Sequence, residues 1–218
     1  LRKHIMVRRA KEDVLPELPQ KQWHLFPVET TPGVRKALKH PGWRKADKLY
    51  KLDPDHFTQA VAIDGAVATA RRELGEAKAP LVARYINDLL DSGVTKIICG
   101  AWHLSVLSIL KDGLRNWVYM DGSTPARARQ LAVDKFNNSL DVRIILGQMI
   151  PLGEGWNLTA AQDVVFAEPD WVPGKNEQLI DRAHRIGQKG FVIGHVPIVA
   201  GSLDELILSK AIGKDQAI

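Results

Sequence analysis

Apolar residues recur along the chain from residue 79 onward in two alternating periods. Between residues 79 and 91 they follow the spacing of one helical face, at Leu81, Val82, Ile86, Leu89 and Leu90. Short apolar runs then predict five strands, at 96–99, 117–120, 142–146, 164–167 and 191–199. Further helical patterns lie at 102–110, 124–138, 174–186 and 203–212. Strands connected by helices predict right-handed crossovers and an α/β fold with a doubly wound, mostly parallel sheet.

Ligands of such sheets bind beyond the carboxyl ends of the strands, on the loops that lead into the helices. This rule selects four loops as candidate binding segments: 100–103, 121–124, 147–157 and 168–175.

Residues 1–78 do not follow the same alternation. Prolines push residues 15–19 out of the helical region, and weak basic helical stretches over 34–75 are broken at Pro41-Gly42 and Asp53-Pro54. We therefore predict a linker at 1–30, a small basic helical appendage at 31–78 and the α/β domain at 79–218.

Composition sets the broad class of the protein. With 218 residues, 45% of them hydrophobic and 25% charged, the chain can bury a core, which excludes wholesale disorder and fibrous repeats. No apolar run is long enough for a membrane span or a signal peptide, so we expect an intracellular protein without a membrane partner. The single cysteine, Cys99, permits no internal disulfide, and the seven scattered histidines suggest no metal site.

The net charge of +5 is concentrated at one end of the chain. Residues 1–50 carry 12 Lys and Arg against 5 Asp and Glu, a balance of +7, and the remaining residues carry 18 against 20. This asymmetry is compatible with a polyanionic partner such as nucleic acid, and equally with a solvated basic face.

The segment 177–188 offers the most specific chemistry. At 100° per residue, a polar arc of about 100° contains Gln178, Asp181, Arg182 and Arg185. Two arginines there could grip phosphate oxygens at the mouth of the sheet, with Asp181 pairing with Arg185. An ordinary exposed, salt-bridged helix face is the alternative.

A glycine-containing loop follows the strand at 142–146. Gly153 and Gly155 could let the backbone approach a phosphate closely, although a plain tight turn explains them equally well. The sequence contains no Gly-x-x-x-x-Gly-Lys-[Ser/Thr] phosphate loop, no acidic pair at a strand end for Mg²⁺, and no Gly-x-Ser-x-Gly elbow.

The segment from Gln178 to Gln188 resembles the last helicase motif of the Swi/Snf family within helicase superfamily two. Three further blocks agree in order: 8–21, similar to the link between the two lobes of that family; 121–136, similar to its DNA-backbone block; and 157–174, similar to its fifth motif and sequel. Residues 166–168 and 74–78 are most similar to the HARP-like annealing helicase branch. The chain departs from the family pattern at Gln148-Met149, Leu152 and Val172.

The resemblance implies a C-terminal, RecA-like lobe that works with an N-terminal lobe of the same protein. The N-terminal lobe would supply the phosphate loop and the Mg²⁺ ligands, with ATP held between the lobes. Arg182 and Arg185 would be catalytic arginine fingers, and the ATP-binding set would comprise Gly153, Gly155, Asn157, Gln178, Asp181, Arg182 and Arg185. Loops after the strands would hold the backbone of double-stranded DNA through Trp102, His103, Gly122, Ser123, Thr124, Arg127, Arg129 and Gln148.

Three functions remain open at the level of the sequence: the C-terminal half of an ATP-driven DNA translocase, a nucleic-acid-binding module without ATPase activity, and a free-standing enzyme for a small phosphorylated ligand. The missing phosphate loop argues against the third, and the intact arginine motif favours the first. A bacterial or phage source would place the protein in the nucleoid or cytoplasm, and a eukaryotic source in the nucleus.

Overall fold

The structure is a computed structural model that describes residues 15, 17–53, 56–62, 64–202 and 205. Apart from Glu205, the helix predicted at 203–212 lies outside the described residues, and so do residues 8–14 of the segment that resembles the link between the two lobes.

Six strands and eight helices form the described part of the chain. The strands are β1 (Lys21–Pro27), β2 (Ile97–Ala101), β3 (Trp117–Met120), β4 (Ile144–Gln148), β5 (Asp163–Phe166) and β6 (Val192–Ile198). The helices are α1 (Pro32–Leu38), α2 (Pro41–Leu52), α3 (Phe57–Ala62), α4 (Gly65–Asp91), α5 (Leu104–Gly113), α6 (Ala126–Asn138), α7 (Met149–Gly153) and α8 (Pro173–Ala183).

All described strands pair in parallel, in the order β1-β6-β5-β2-β4-β3. Successive strand residues alternate between two cores, as a parallel sheet covered on both faces requires. Ile98, Ile145 and Val164 face α6, α7 and α8, whereas Cys99 and Val165 face α4 and α5. The predicted doubly wound α/β fold is confirmed.

The sheet has one strand more than predicted, because Lys21–Pro27 forms β1 rather than part of a linker. Trp23 explains the pairing: its side chain is 2% exposed and its ring packs 5.1 Å from that of Phe166. A Cβ on Gly194, its partner across the β1–β6 ladder, would lie 2.7 Å from the indole, so glycine is needed there. Prolines near both ends of β1 make this segment resemble a linker in the sequence.

Helix α4 crosses the boundary predicted between residues 78 and 79. Its amino-terminal half carries α1, α2 and α3. An apolar cluster joins this helical appendage to the loops of the sheet, and Val34, Trp43, Phe57, Leu74 and Trp171 belong to it. Pro80 lies inside the helix and costs it one backbone hydrogen bond.

Candidate functional site

Four residues of the predicted DNA-binding set line one cleft at the carboxyl ends of β2, β3 and β4. The cleft has a volume of about 380 Å³, and its walls are Trp102, Gly122, Arg129, Gln148, Met149, Ile150, Pro151 and Glu154. The strand order explains this convergence, since the loops that follow neighbouring parallel strands meet at one edge of the sheet.

Gln148 connects the loop after β2 to the loop after β3. Its Oε1 accepts a hydrogen bond of 3.0 Å from the Gly122 N–H, and its Nε2 donates one of 3.2 Å to the Trp102 carbonyl. The sequence suggested that Gln148 touches DNA directly. In the structure both ends of its amide are used inside the protein, so its side chain positions the two loops.

Asp121 organises the turn that carries Ser123 and Thr124. Its carboxylate accepts hydrogen bonds from the Ser123 N–H (2.9 Å) and hydroxyl (2.7 Å), from Thr124 Oγ1 (3.0 Å) and from Tyr119 (2.9 Å). The bond from Ser123 is the largest of the causes that lower the pKa of Asp121 to about 2. The turn is therefore fixed by a permanently charged carboxylate.

Arg127 and Arg129 have different environments although both belong to the first turn of α6. Arg129 donates to the carbonyls of Thr124 (2.8 Å) and Gly122 (3.1 Å) and to Glu154 Oε2 (2.7 Å). Arg127 is exposed and has no hydrogen bond or ion pair within the described residues. No side chain caps α6, which leaves first-turn N–H groups free beside Arg127.

Glu168 fixes the loop that contains Trp102 and His103. This carboxylate is 3% exposed, and it accepts hydrogen bonds from the N–H groups of Trp102 (3.1 Å) and His103 (2.8 Å) and from His103 Nδ1 (2.7 Å). A Cβ on Gly75 of α4 would lie 2.4 Å from Glu168 Oε1, so only glycine admits this approach.

Two cations that the sequence did not single out flank the Trp102 ring. The Arg71 guanidinium lies 5.3 Å from its centroid, and Lys175 Nζ lies 4.9 Å from it. Arg71 also donates a 2.7 Å hydrogen bond to the Pro169 carbonyl, and Lys175 pairs with Asp170. No pattern in the sequence indicates this group, because its members are about 30 and 70 residues away from Trp102.

The two predicted catalytic arginines lie close together, but only Arg182 is helical. Helix α8 ends at Ala183 instead of continuing to residue 186, and the chain turns at Gly187, whose φ of 99° favours glycine. Arg185 therefore lies beyond the helix. The prediction that both arginines share one helical arc is wrong on this point.

Each arginine is anchored to the backbone by one N–H group. Arg182 Nε donates to the Gln178 carbonyl at 3.0 Å, and Arg185 Nη1 donates to the Gly155 carbonyl at 3.1 Å. Their other N–H groups have no hydrogen-bond partner among the described residues. Burial and then the charge of Arg185 lower the pKa of Arg182, against an opposing effect of Asp181. The pair is thus a local excess of positive charge.

The backbone of the arginine segment lies at the amino ends of β5 and β6 (the arginine end), not at the mouth of the sheet as predicted. The Arg185 side chain nevertheless reaches Gly155, the neighbour of the cleft residue Glu154. The Arg182 carbonyl accepts from the Leu158 N–H (3.0 Å), and Gln188 Nε2 donates to Ala161 just before β5 (2.8 Å). His184 Nε2 lies 2.6 Å from the carbonyl of Pro19, just before β1. These partners precede strands, so the arginines lie near the strands' amino ends.

The other predicted ATP-binding residues are divided between this arginine end and a neighbouring groove. Gly155, with a φ of 32°, and Asn157 line a groove of about 630 Å³ beside α6, whereas Gly153 is the last residue of α7. Gln178 is exposed on α8. Asp181 and Glu177 both pair with Lys21 of β1, and these two carboxylates overcome the effect of burial and raise the pKa of Lys21.

Neither a metal site nor a membrane span is found in the described ranges. Their His, Cys, Asp and Glu side chains do not gather in a group of three suited to a metal ion. None of their helices combines the length and apolar composition that crossing a bilayer requires.

Comparisons with known proteins identify similar sequences and a similar fold. Residues 82–187 match the helicase conserved C-terminal domain. The DNA annealing helicase and endonuclease ZRANB3 of Mus musculus is 34% identical over 93% of this chain and 19% of its own length. The SWI/SNF-related matrix-associated actin-dependent regulator of chromatin subfamily A-like protein 1 of Bos taurus is 31% identical over 95% of this chain and 22% of its own.

The chain thus spans about a fifth of the length of these relatives. A crystal structure of the C-terminal part of the Fun30 ATPase domain shares the fold, with a TM-score of 0.66, 18% identity, and coverage of 89% of this chain and 90% of that one. The resemblance predicted from the sequence is confirmed: this chain belongs with the C-terminal, RecA-like lobes of the Swi/Snf family of superfamily-two helicases, and residues 82–187 are its helicase conserved C-terminal domain.

Proposed function

We propose that this chain is the C-terminal lobe of an ATP-dependent double-stranded-DNA translocase, in which it contributes arginines to ATP hydrolysis and holds the DNA backbone. The observation that carries the proposal is the Arg182–Arg185 pair. Two guanidinium groups, each anchored to a backbone carbonyl by one bond, keep most of their donors available. Such a pair suits the oxygens of a triphosphate.

The residues at the arginine end fit a nucleotide, although they could not complete its site alone. Arg182 and Arg185 would hold phosphate oxygens, with Gln178, Asp181, Gly153, Gly155 and Asn157 around them. When bound, Mg²⁺ would neutralise charge on the phosphates, and we propose that its ligands come from an N-terminal lobe, which would also supply the phosphate loop.

The DNA-binding residues fall into two groups by their contacts. Arg127 and the free N–H groups of the first turn of α6 can bind phosphate oxygens directly. Gln148, Arg129 and Glu168 instead hold the loops of Gly122–Thr124 and Trp102–His103 in position. Neither group offers a helix with side chains placed to read base edges, so we propose binding without sequence preference.

The test is to join this lobe to a Swi/Snf-type ATPase lobe that carries a phosphate loop. We expect DNA-stimulated ATP hydrolysis from the joined protein and none from this chain alone. The Arg185→Ala and Arg182→Ala variants should each reduce kcat by about 10³–10⁵, the value of an arginine finger in GTPases. Arg127→Ala is the control, because it should weaken DNA binding and leave kcat at saturating DNA unchanged.

Two results would contradict this proposal. Near-normal kcat in both arginine variants would show that these residues are not fingers. DNA binding by the chain without any stimulated hydrolysis in the joined protein would instead favour the alternative of a nucleic-acid-binding module.

A further inference from the structure

The first two helices of the appendage carry a charge that nothing else in their segment balances. Residues 32–52, which form α1 and α2, contain seven Lys and Arg and one acidic residue, Asp47. Lys51 pairs with Asp47 at 2.8 Å, and Lys45 pairs with Asp64 at the start of α4. Five cations remain without an ion pair or side-chain hydrogen bond among the described residues: Arg35, Lys36, Lys39, Arg44 and Lys48.

These five side chains are exposed because the opposite faces of α1 and α2 are fixed against α4. Val34, Ala37, Trp43 and Ala46 are buried in the apolar cluster of the appendage. A Cβ on Gly42 would lie 2.2 Å from the Ala66 carbonyl, so α2 touches the backbone of α4 directly. Arg44 and Lys48 are four residues apart on one helix and therefore neighbours on its surface. The charged face cannot turn inward.

The charged face lies at the end of the sheet that holds the cleft. Beyond the carboxyl ends of β1 and β6, the Val28 N–H donates to the Ile198 carbonyl at 2.8 Å, and α1 begins four residues later. The amino-terminal half of α4, on which α1 and α2 pack, reaches the cleft through Arg71 at the Trp102 ring. Arg71 thus connects the helix that carries the charged face to the edge of the cleft.

We propose that the exposed cationic face of α1 and α2, formed by Arg35, Lys36, Lys39, Arg44 and Lys48, is a second contact for the phosphate backbone of duplex DNA. It would lengthen the surface that begins at Arg127 and the cleft, and it rests on the proposed DNA-binding function. An acidic protein segment is the less favoured partner. Protein interfaces need an apolar centre, and in the described part of 32–52 the only exposed large apolar side chain is the terminal Leu52.

The test measures DNA affinity of the full chain as a function of salt. Two double variants, Arg44→Gln with Lys48→Gln and Lys36→Gln with Lys39→Gln, each remove two charges without removing a contact within the protein. Each should weaken binding and make the salt dependence less steep. The slope of log K against log salt is negative, and its magnitude should fall by up to about 1.8, that is, about 0.9 for each phosphate that is no longer neutralised. The control is Arg115→Gln with Lys135→Gln, which removes two exposed charges near the amino ends of the strands and should leave the slope unchanged.

Each result decides the question. If both appendage variants behave like the control while Arg127→Gln lowers the slope, this inference fails and the proposed function stands. If the unmodified chain binds no duplex at all, both fail together. If the appendage variants lose affinity for polyglutamate but keep normal DNA binding, the face serves an acidic protein, and the inference is wrong. Unchanged melting temperatures in all variants show that folding does not account for the effect.

Discussion

The polar side chains around the cleft and the two arginines of the arginine end differ in how many partners they have within the protein. Gln148 and Arg129, which line the cleft, and the buried Glu168 direct their hydrogen-bonding atoms at neighbouring loops. At the arginine end, Arg182 and Arg185 each make one hydrogen bond and keep their other N–H groups. Polar residues with many internal partners hold a surface in shape, whereas those with few can bind a ligand. The difference predicts which variants damage the fold and which damage binding.

The largest effect on stability should come from Glu168→Ala. Removing this buried acceptor leaves the N–H groups of Trp102 and His103 without their partner, so we expect unfolding to become easier by about 3 kcal/mol. Glu154→Ala is the matched control, because this exposed carboxylate has one arginine partner and should cost less than about 1 kcal/mol. If chemical denaturation showed the same loss of stability in both variants, the contrast between the buried and the exposed carboxylate would be wrong.

Arg129 and Arg127 provide a matched pair within one turn of α6. Arg129→Gln should cost about 1–2 kcal/mol of stability, since it removes two bonds to backbone carbonyls and one to Glu154. Arg127→Gln should leave the melting temperature unchanged and lower the salt slope of DNA binding by about 0.9. A destabilised Arg127 variant would show that this side chain is part of the scaffold.

Gln148→Ala should cost about 1 kcal/mol, because the variant has no link between the loops after β2 and β3. DNA affinity should fall while its salt slope stays the same, since no phosphate contact disappears. Titrations at several salt concentrations separate these effects. A less steep salt dependence would show that Gln148 contacts the DNA directly.

The smallest effect is a dependence of the protein's stability on pH, which arises where α4 packs on β1 and β6. His195 Nε2 lies 2.9 Å from Asp163, and the Tyr85 hydroxyl joins His195 (2.8 Å) to His24 (3.3 Å). Burial and then the proximity of His195 lower the pKa of His24 below its ordinary value of 6.5. The folded state therefore disfavours protonation, and stability should be constant above pH 6.5 and decline as the pH falls through it.

Thermal melts between pH 5 and pH 8, a range that brackets the ordinary histidine value, test this dependence. His24→Gln should flatten the decline, and His56→Gln, at an exposed histidine of the appendage, should not. A decline of the same size in the His24 variant would assign the effect to another group.

The sequence predicted five of the six strands because strands buried on both faces appear as short, nearly continuous apolar runs between turns and helical patterns. It missed β1, whose partly exposed residues and flanking prolines resemble a linker. Four residues of the predicted DNA-binding set line one cleft because they follow strands that end at one edge of the sheet, and their contact with DNA stays a prediction. The sequence placed the end of α8 wrongly because a helical period does not reveal a turn such as that at Gly187. Glu168 escaped notice as a site residue because its role depends on partners more than 60 residues distant.

The bond between His184 and the Pro19 carbonyl joins the chain entering β1 to the residue that precedes Arg185. Lys21 adds a second connection, because it forms ion pairs with Glu177 and Asp181 of α8. These contacts connect the residues that enter β1 to the carboxyl end of α8 and the turn that follows it. A displacement of the backbone at Pro19 would therefore be transmitted to the turn that contains Arg185 through these side-chain contacts.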